Sequence, residues 1–330
     1  MPLSMQTDVR RHGASVLRAL ASRHLTILFF LITGAASLVV AYDLMEATPM
    51  MVAPFVLLTL NLVAGILVHA RFRSDLPLLL FHLALVVLVS LFVFARLVYL
   101  DARTTLTSGT EFDGQLQMEA RGPLHFGRVQ DLRFANDGFT EDFYARGRGK
   151  YFATHNYVRW QDDAGQWHPA RISDDRPLIL NGYKIYPTER RGYSPVFLWQ
   201  PASGEEKIGT VQMSGMADTE YATAVEWEMP TGGKAWLMLE AKTQEEKPNG
   251  ARVGLATDAI KHRLVLRIGE QRHVLQEGQG IALPEGRLTY MRLDSWMGYI
   301  ISYDPTVPWI MATILIGVAS LVWFYWRRIW

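Results

Sequence analysis

The chain has 330 residues, with 33 Lys and Arg against 32 Asp and Glu, a net charge of +1. It has no cysteine, which excludes a disulfide, a thioredoxin-like Cys pair and a thioether-linked haem of its own. Any metal site is left to His, Met, Tyr or carboxylate.

The mean hydropathy of +0.06 averages two populations. Residues 1–24 form a basic segment, in which the pattern over 9–24 predicts an interfacial helix. Val9, Val16, Leu17 and Leu20 make its apolar stripe, with arginines opposite. A basic tail that only sets orientation is the alternative. Apolar runs follow at 25–42, 50–68 and 76–100, and a fourth lies within 306–330. Each is long enough to span about 30 Å of hydrocarbon. The first reads as a retained span rather than a cleaved leader, because further spans follow at once. Residues 101–305 are polar and punctuated by Gly and Pro, long enough for a domain with its own core.

The expected topology follows the distribution of Lys and Arg. Arg10, Arg11, Arg18 and Arg23 hold the N-terminus inside, and Arg71 and Arg73 mark the second connection as inside. The acidic stretch Asp43–Glu46 reads as outside, and the last helix returns to Arg327 and Arg328. In a bacterium this places the chain in the inner membrane as a multi-pass protein, with 101–305 in the periplasm.

That large segment reads as all-β. Alternating runs at Tyr151–Gln161, Tyr183–Pro187, Val196–Gln200, Val225–Met229, Ala235–Ala241, His262–Ile268, Arg272–Gln276 and Arg287–Leu293 predict short strands. Turns are expected at Gly192, Pro201–Gly204, Thr231–Gly233, Pro248–Gly250 and Pro284–Gly286. Many short strands suggest a sandwich or an irregular barrel. The fold class is therefore four transmembrane helices with a large β domain between the third and the fourth.

The chemistry concentrates on His82, inside the third apolar run. A titratable side chain in a bilayer is expensive and is retained for a reason. Its helical face carries Asp75, Leu78, Leu79, Val86, Val89, Val93 and Arg96. One imidazole there can supply one axial bond to haem iron. The bland reading, a neutral histidine bonded within the helix bundle, stands beside it. No second histidine sits inside a span, since His24 and His69 lie at the edges. A haem held here would need its other ligand from a partner. Arg96, near the outer end of the same run, is a candidate for a haem propionate or, more simply, for headgroups. Asn61 in the second run reads as a cross-helix hydrogen-bonding residue. The remaining histidines, His12, His125, His155, His168, His262 and His273, show no ligand spacing. Paired acids such as Asp162-Asp163 and Asp174-Asp175 read as solvated turns.

Three stretches together resemble the ResB (CcsB) family of cytochrome c biogenesis proteins, the System II pathway. They are Leu78-Leu-Leu-Phe-His82-Leu-Ala-Leu, then Arg176-Pro-Leu-Ile-Leu-Asn-Gly-Tyr-Lys-Ile-Tyr186 with Gly192-Tyr-Ser-Pro-Val-Phe197, and Ser302-Tyr-Asp304-Pro305-Thr-Val-Pro308. The resemblance implies a subunit of a cytochrome c synthase that handles haem b transiently, with a CcsA/ResC-type multispan partner, and delivers it to apocytochrome c. It implies that His82 is an axial ligand, with the second supplied by the partner, and that the chain is not catalytic alone. A membrane-anchored scaffold without haem is the rival expectation; no nucleic-acid partner is expected. Two positions depart from the family pattern: Ala84, where glycine is common, and Thr306, in place of the glycine after Asp-Pro.

Overall fold

The computed structural model describes residues 15–42, 47–146, 149–214, 223–241, 252–254 and 261–329. The chain divides into two compact units: 1–100 with 120–127 and 303–330, and 101–119 with 128–302.

The first unit is helical. Its elements are α1 (Arg23–Ala41), α2 (Ala47–Val68), the short α3 (Ala70–Ser74), α4 (Leu76–Val98) and α5 (Val307–Ile329). Four of them are long and apolar enough to cross a membrane; the 23 residues of α4 measure about 34 Å at 1.5 Å per residue. Neighbours pack in the order α1, α2, α4, α5. The middle of the row is apolar, with Phe29, Leu58 and Val89 buried against Leu25, Phe55 and Leu62. Hydroxyls in these helices bond back to the carbonyl four residues earlier: Thr33 to Phe29, Thr59 to Phe55, Ser90 to Val86 and Ser320 to Ile316. This satisfies a donor where no water is at hand. Residues 15–20 are helical, in keeping with the start-of-chain helix predicted over 9–24. The part of that prediction before residue 15, and the Asp43–Glu46 connection, lie outside the described residues.

Asn61 is buried in this row and does what the sequence suggested. Its Nδ2 donates to the carbonyls of Leu20 and Ser22, and its Oδ1 accepts from the Thr26 hydroxyl. One amide thus ties α2 to the turn ahead of α1. At the far end of α4, Tyr99 is followed by a strand that starts at Leu100, and the segment 120–127 returns to bond the last carbonyls of the helix.

The second unit is β, in three sheets. The largest has eight strands. β2 (Met118–Arg121), β1 (Leu100–Thr107), β16 (Gly286–Tyr303), β7 (Tyr183–Pro201) and β6 (Leu178–Leu180) follow in that order; β15 (Gly280–Leu283) pairs with β16, and β8 (Lys207–Thr210) and β9 (Met213–Ser214) pair with β7. A second sheet, antiparallel, runs β12 (Arg252–Gly254), β3 (Phe134–Arg146), β4 (Gly149–Gln161) and β5 (Trp167–Ile172). The third, also antiparallel, runs β10 (Thr223–Glu228), β11 (Lys234–Ala241), β13 (His262–Ile268) and β14 (Gln271–Leu275).

One expected turn is absent and one hairpin explains a motif. Gly192 does not break the chain: β7 runs straight through it, with Gly192 opposite Ser214. The two strands predicted at Tyr183–Pro187 and Val196–Gln200 are therefore a single strand of 19 residues. Likewise Arg287–Leu293 is the first part of the 18-residue β16. The Asn-Gly pair of the second motif makes the β6–β7 hairpin, with Leu180 opposite Tyr183. Both loop residues have positive φ, 51° at Asn181 and 82° at Gly182, the type I′ geometry that Asn-Gly favours. The predicted turn at Pro248–Gly250 lies outside the described residues.

The β core holds Trp296, Tyr193, Tyr290, Leu264, Leu266 and Met213, all nearly inaccessible. A buried polar chain crosses it. Tyr299 donates to Asn156 Oδ1, Asn156 Nδ2 donates to Asn136 Oδ1, and Asn136 Nδ2 donates to the Leu106 carbonyl. Burial pushes the Tyr299 phenol well above its ordinary pKa, so it serves as a neutral donor.

Candidate functional site

His82 lies six residues into α4 after Leu76, about 9 Å along the axis. The ring is half-buried. Its Nδ1 lies 2.7 Å from the Leu78 carbonyl oxygen, one helical turn back. A carbonyl can only accept, so Nδ1 carries the proton in the neutral ring, and Nε2 is left with its lone pair. Among the described residues Nε2 has no hydrogen-bond partner. This is the tautomer of a histidine that binds metal through Nε2 while its other nitrogen is held by a backbone carbonyl.

An aromatic ring covers one side of the imidazole. Phe72, from α3, has its centroid 4.2 Å from that of His82 at 35°. His69 stands edge-on to Phe72, at 5.8 Å and 89°. Phe72 thus contacts both His69 and His82, near the N-terminal end of α4, which Asp75 precedes. Asp75 in turn lies 3.9 Å from Arg327 of α5. Phe72 was not legible as a site residue. The short basic stretch Ala70–Ser74 carries no periodic signal, and only the chain reversal between α2 and α4 lays its aromatic ring on His82.

Arg96 occupies the opposite end of α4. It is fourteen residues from His82, about 21 Å of helix. Its guanidinium carbon sits 4.5 Å from the centroid of the Tyr99 ring, and its Nε is buried without a hydrogen-bond partner. The structure therefore does not bring the two candidate residues together.

The residues that depart from the family pattern have local explanations. Ala84 is buried, and a Cβ placed on Gly317 of α5 would lie 3.5 Å from its Cβ. The α4–α5 contact thus needs small side chains on both helices, and alanine supplies one. Replacing Ala84 with leucine is expected to overpack this seam and destabilise the helical unit by about 1–3 kcal/mol. The check is a lowered melting temperature of the detergent-solubilised chain, with Ala84→Gly shifting it far less. Thr306 is buried and bonds Asp304 Oδ1 through both its N–H and its hydroxyl, at 2.9 and 2.6 Å. It then offers its carbonyl to the N–H of Ile310, which opens α5.

The other histidines are scattered. His125 Nδ1 donates to the Val98 carbonyl, His168 pairs with Asp162 at 2.7 Å, and His262 Nε2 contacts the Tyr290 hydroxyl at 2.6 Å. The hydrogen bond from His168, backed by the Gln166 N–H, holds the Asp162 carboxyl below the usual carboxylate range. Asp162 also accepts from the Ala164 N–H, so it is the turn residue that the sequence implied. His12 lies outside the described residues. Among the described residues no three His or acidic side chains converge as a metal site.

The ResB-like family model matches residues 74–330, from just before α4 to the end of the chain. No curated protein matches. Among solved structures, the chain is similar to one described as cytochrome c heme lyase CcmF, at 11% identity and a TM-score of 0.29. That alignment covers 94% of this chain but 38% of the other, so the chain spans little more than a third of that protein. A likeness at that score carries no argument about fold or activity.

Proposed function

Since the chain belongs to the ResB-like family and so to cytochrome c biogenesis, we propose that it is a membrane subunit that holds haem b for a cytochrome c synthase. Haem is bound through His82 Nε2 and passed on with a CcsA/ResC-type partner to apocytochrome c. The observation that supports this most directly is the 2.7 Å contact of Nδ1 with the Leu78 carbonyl, which commits that nitrogen to donating and leaves Nε2 as the one ring nitrogen open to a ligand within an apolar helix. The residues suit the group. The ring is oriented by a backbone bond that cannot be mutated away, Phe72 packs beside it, and the partly exposed residues that continue its helix face are Val86 and Val93, Val89 being packed against Phe29 and Leu58. Haem, when bound, supplies the iron and the vinyl groups that become thioethers. This chain supplies position and a dry wall, and the cysteines of the client supply sulfur.

Arg96 belongs to a different station in this reading. At about 21 Å from His82 along the helix it meets a carboxylate near the far boundary of the span, not one on a haem centred at His82. A second reading, an anchored scaffold without haem, draws on the same ring: His82 already has a hydrogen bond and an aromatic neighbour within the chain. Purification of the full chain together with its multispan partner separates the two. A b-type Soret band that co-elutes with the complex supports haem handling. An intact complex free of haem leaves only the scaffold.

A further inference from the structure

The segment 120–127 sits in sequence within the β region, yet it packs with the helices. Its backbone closes the C-terminal end of α4. The Gly122 N–H donates to the Tyr99 carbonyl at 2.9 Å, the Leu124 N–H to the Leu97 carbonyl at 2.8 Å, and His125 Nδ1 to the Val98 carbonyl at 2.8 Å. These are acceptors that a helix end leaves without an intrahelical partner. At the edge of a bilayer they lack bulk water as well. The fit at Gly122 is tight: a Cβ there would lie within 2.2 Å of the Leu97 oxygen, a backbone atom that cannot swing away. The ring of His125 is set edge-on to Tyr303 at 5.2 Å, and that of Phe126 at 5.8 Å.

This bonding fixes the depth of the segment. A span of about 34 Å crosses roughly 30 Å of hydrocarbon, so Leu97–Tyr99 lie at its boundary, and whatever bonds their carbonyls lies there too. From that frame the two apolar side chains of the tip point outward, Leu124 at 58% and Phe126 at 64% exposed. Trp309, near the start of α5, is 67% exposed at the same end. In sequence the tip is bracketed by Arg121 and Arg128. Apolar and aromatic side chains at the hydrocarbon edge, with basic residues next to them in sequence, are the composition of an interfacial anchor.

We propose that residues 120–127 form a lipid-embedded anchor: Leu124 and Phe126 insert among the acyl chains of the leaflet at the C-terminal end of α4, continuous with the lipid-facing surface of the helices. The occupant of this surface is phospholipid. The absence of native cysteine makes the test direct, because Leu124→Cys and Phe126→Cys each give one site for a nitroxide label on the full chain in phospholipid nanodiscs. Collision with oxygen, which concentrates in acyl chains, is compared with collision with a water-soluble nickel chelate. References are a label at Leu31, 67% exposed on α1, and one at Asp163 in the β4–β5 turn. Both tip labels are expected to show oxygen-to-nickel ratios severalfold above that of Asp163 and below that of Leu31, which lies mid-way along α1. Nickel-dominated collision at either tip site overturns the proposal, and would turn attention to a protein partner as the cover. A water-like signal at Leu31 itself would instead overturn the membrane reading of the helices.

Discussion

Replacing His82 with alanine is expected to strip the co-purified complex of haem while leaving the complex itself assembled. The residue touches its own chain through one hydrogen bond and two ring contacts, with Phe72 and with its neighbour Phe81, and the Nδ1 bond is made to its own helix. Its removal therefore opens a small gap in α4 without unpairing a neighbouring helix. The loss of haem should be large, because even an indirect partner of a metal ligand is worth 10- to 100-fold in affinity, and here the ligand itself goes. At least a tenfold drop in Soret absorbance per mole of complex is expected, equivalent to about 1.4 kcal/mol or more. His82→Met sharpens the result, because it returns a ligand of different kind. Restored haem with a raised reduction potential is the signature of ligation, and a purely structural histidine would give no such signal. Unchanged absorbance in His82→Ala, with the complex intact, sinks the ligand role.

The second large effect is expected in the β unit. Trp296 is 1% exposed, and its indole N–H donates to the Met213 carbonyl at 3.0 Å. Truncation to alanine empties a large volume at the centre of the sheet core and orphans that carbonyl, costing about 3–5 kcal/mol. Unfolding of the full chain in detergent, followed by tryptophan fluorescence against guanidinium, should show the β transition at markedly lower denaturant. Trp296→Phe keeps most of the volume and loses only the hydrogen bond, so it should fall between the two. A transition unmoved by Trp296→Ala would mean that this core is not what holds the unit together.

The helices were legible because a bilayer span needs a long apolar run and little else. The expected 25–42, 50–68 and 76–100 come out as Arg23–Ala41, Ala47–Val68 and Leu76–Val98. The hairpin strands of the third sheet were legible from their alternation: His262–Ile268 is found at its predicted bounds, with Leu264 and Leu266 buried and Arg263 and Arg267 exposed, although Val265 on the arginine face is buried too. β7 was not, because residues 192–197 include an unbroken buried stretch that hides the alternation. Its glycine reads as a turn when it is in fact part of a paired strand. Gly298 on β16 shows the same lesson from the other side. A Cβ there would come within 2.6 Å of Thr188 Oγ1 on β7, so glycine in these long strands marks close approach rather than reversal. At the candidate site the sequence offered His82 and its helical face. It could not offer Phe72 or the Leu78 carbonyl, because one depends on a chain reversal and the other belongs to the backbone and has no sequence signature.

The seam between α4 and α5 has a consequence for how the protein is made. Ala84, Gly317 and the Asp75–Arg327 contact join two helices separated by the 208 residues between Val98 and Val307. At ribosomal speeds of 5–20 residues per second, α4 waits about 10–40 s for its last neighbour. During that interval its small-residue face and its aspartate must be shielded by the insertion machinery or by another nascent subunit, so the time of synthesis, and not only the final contact, sets when the histidine-bearing helix becomes enclosed.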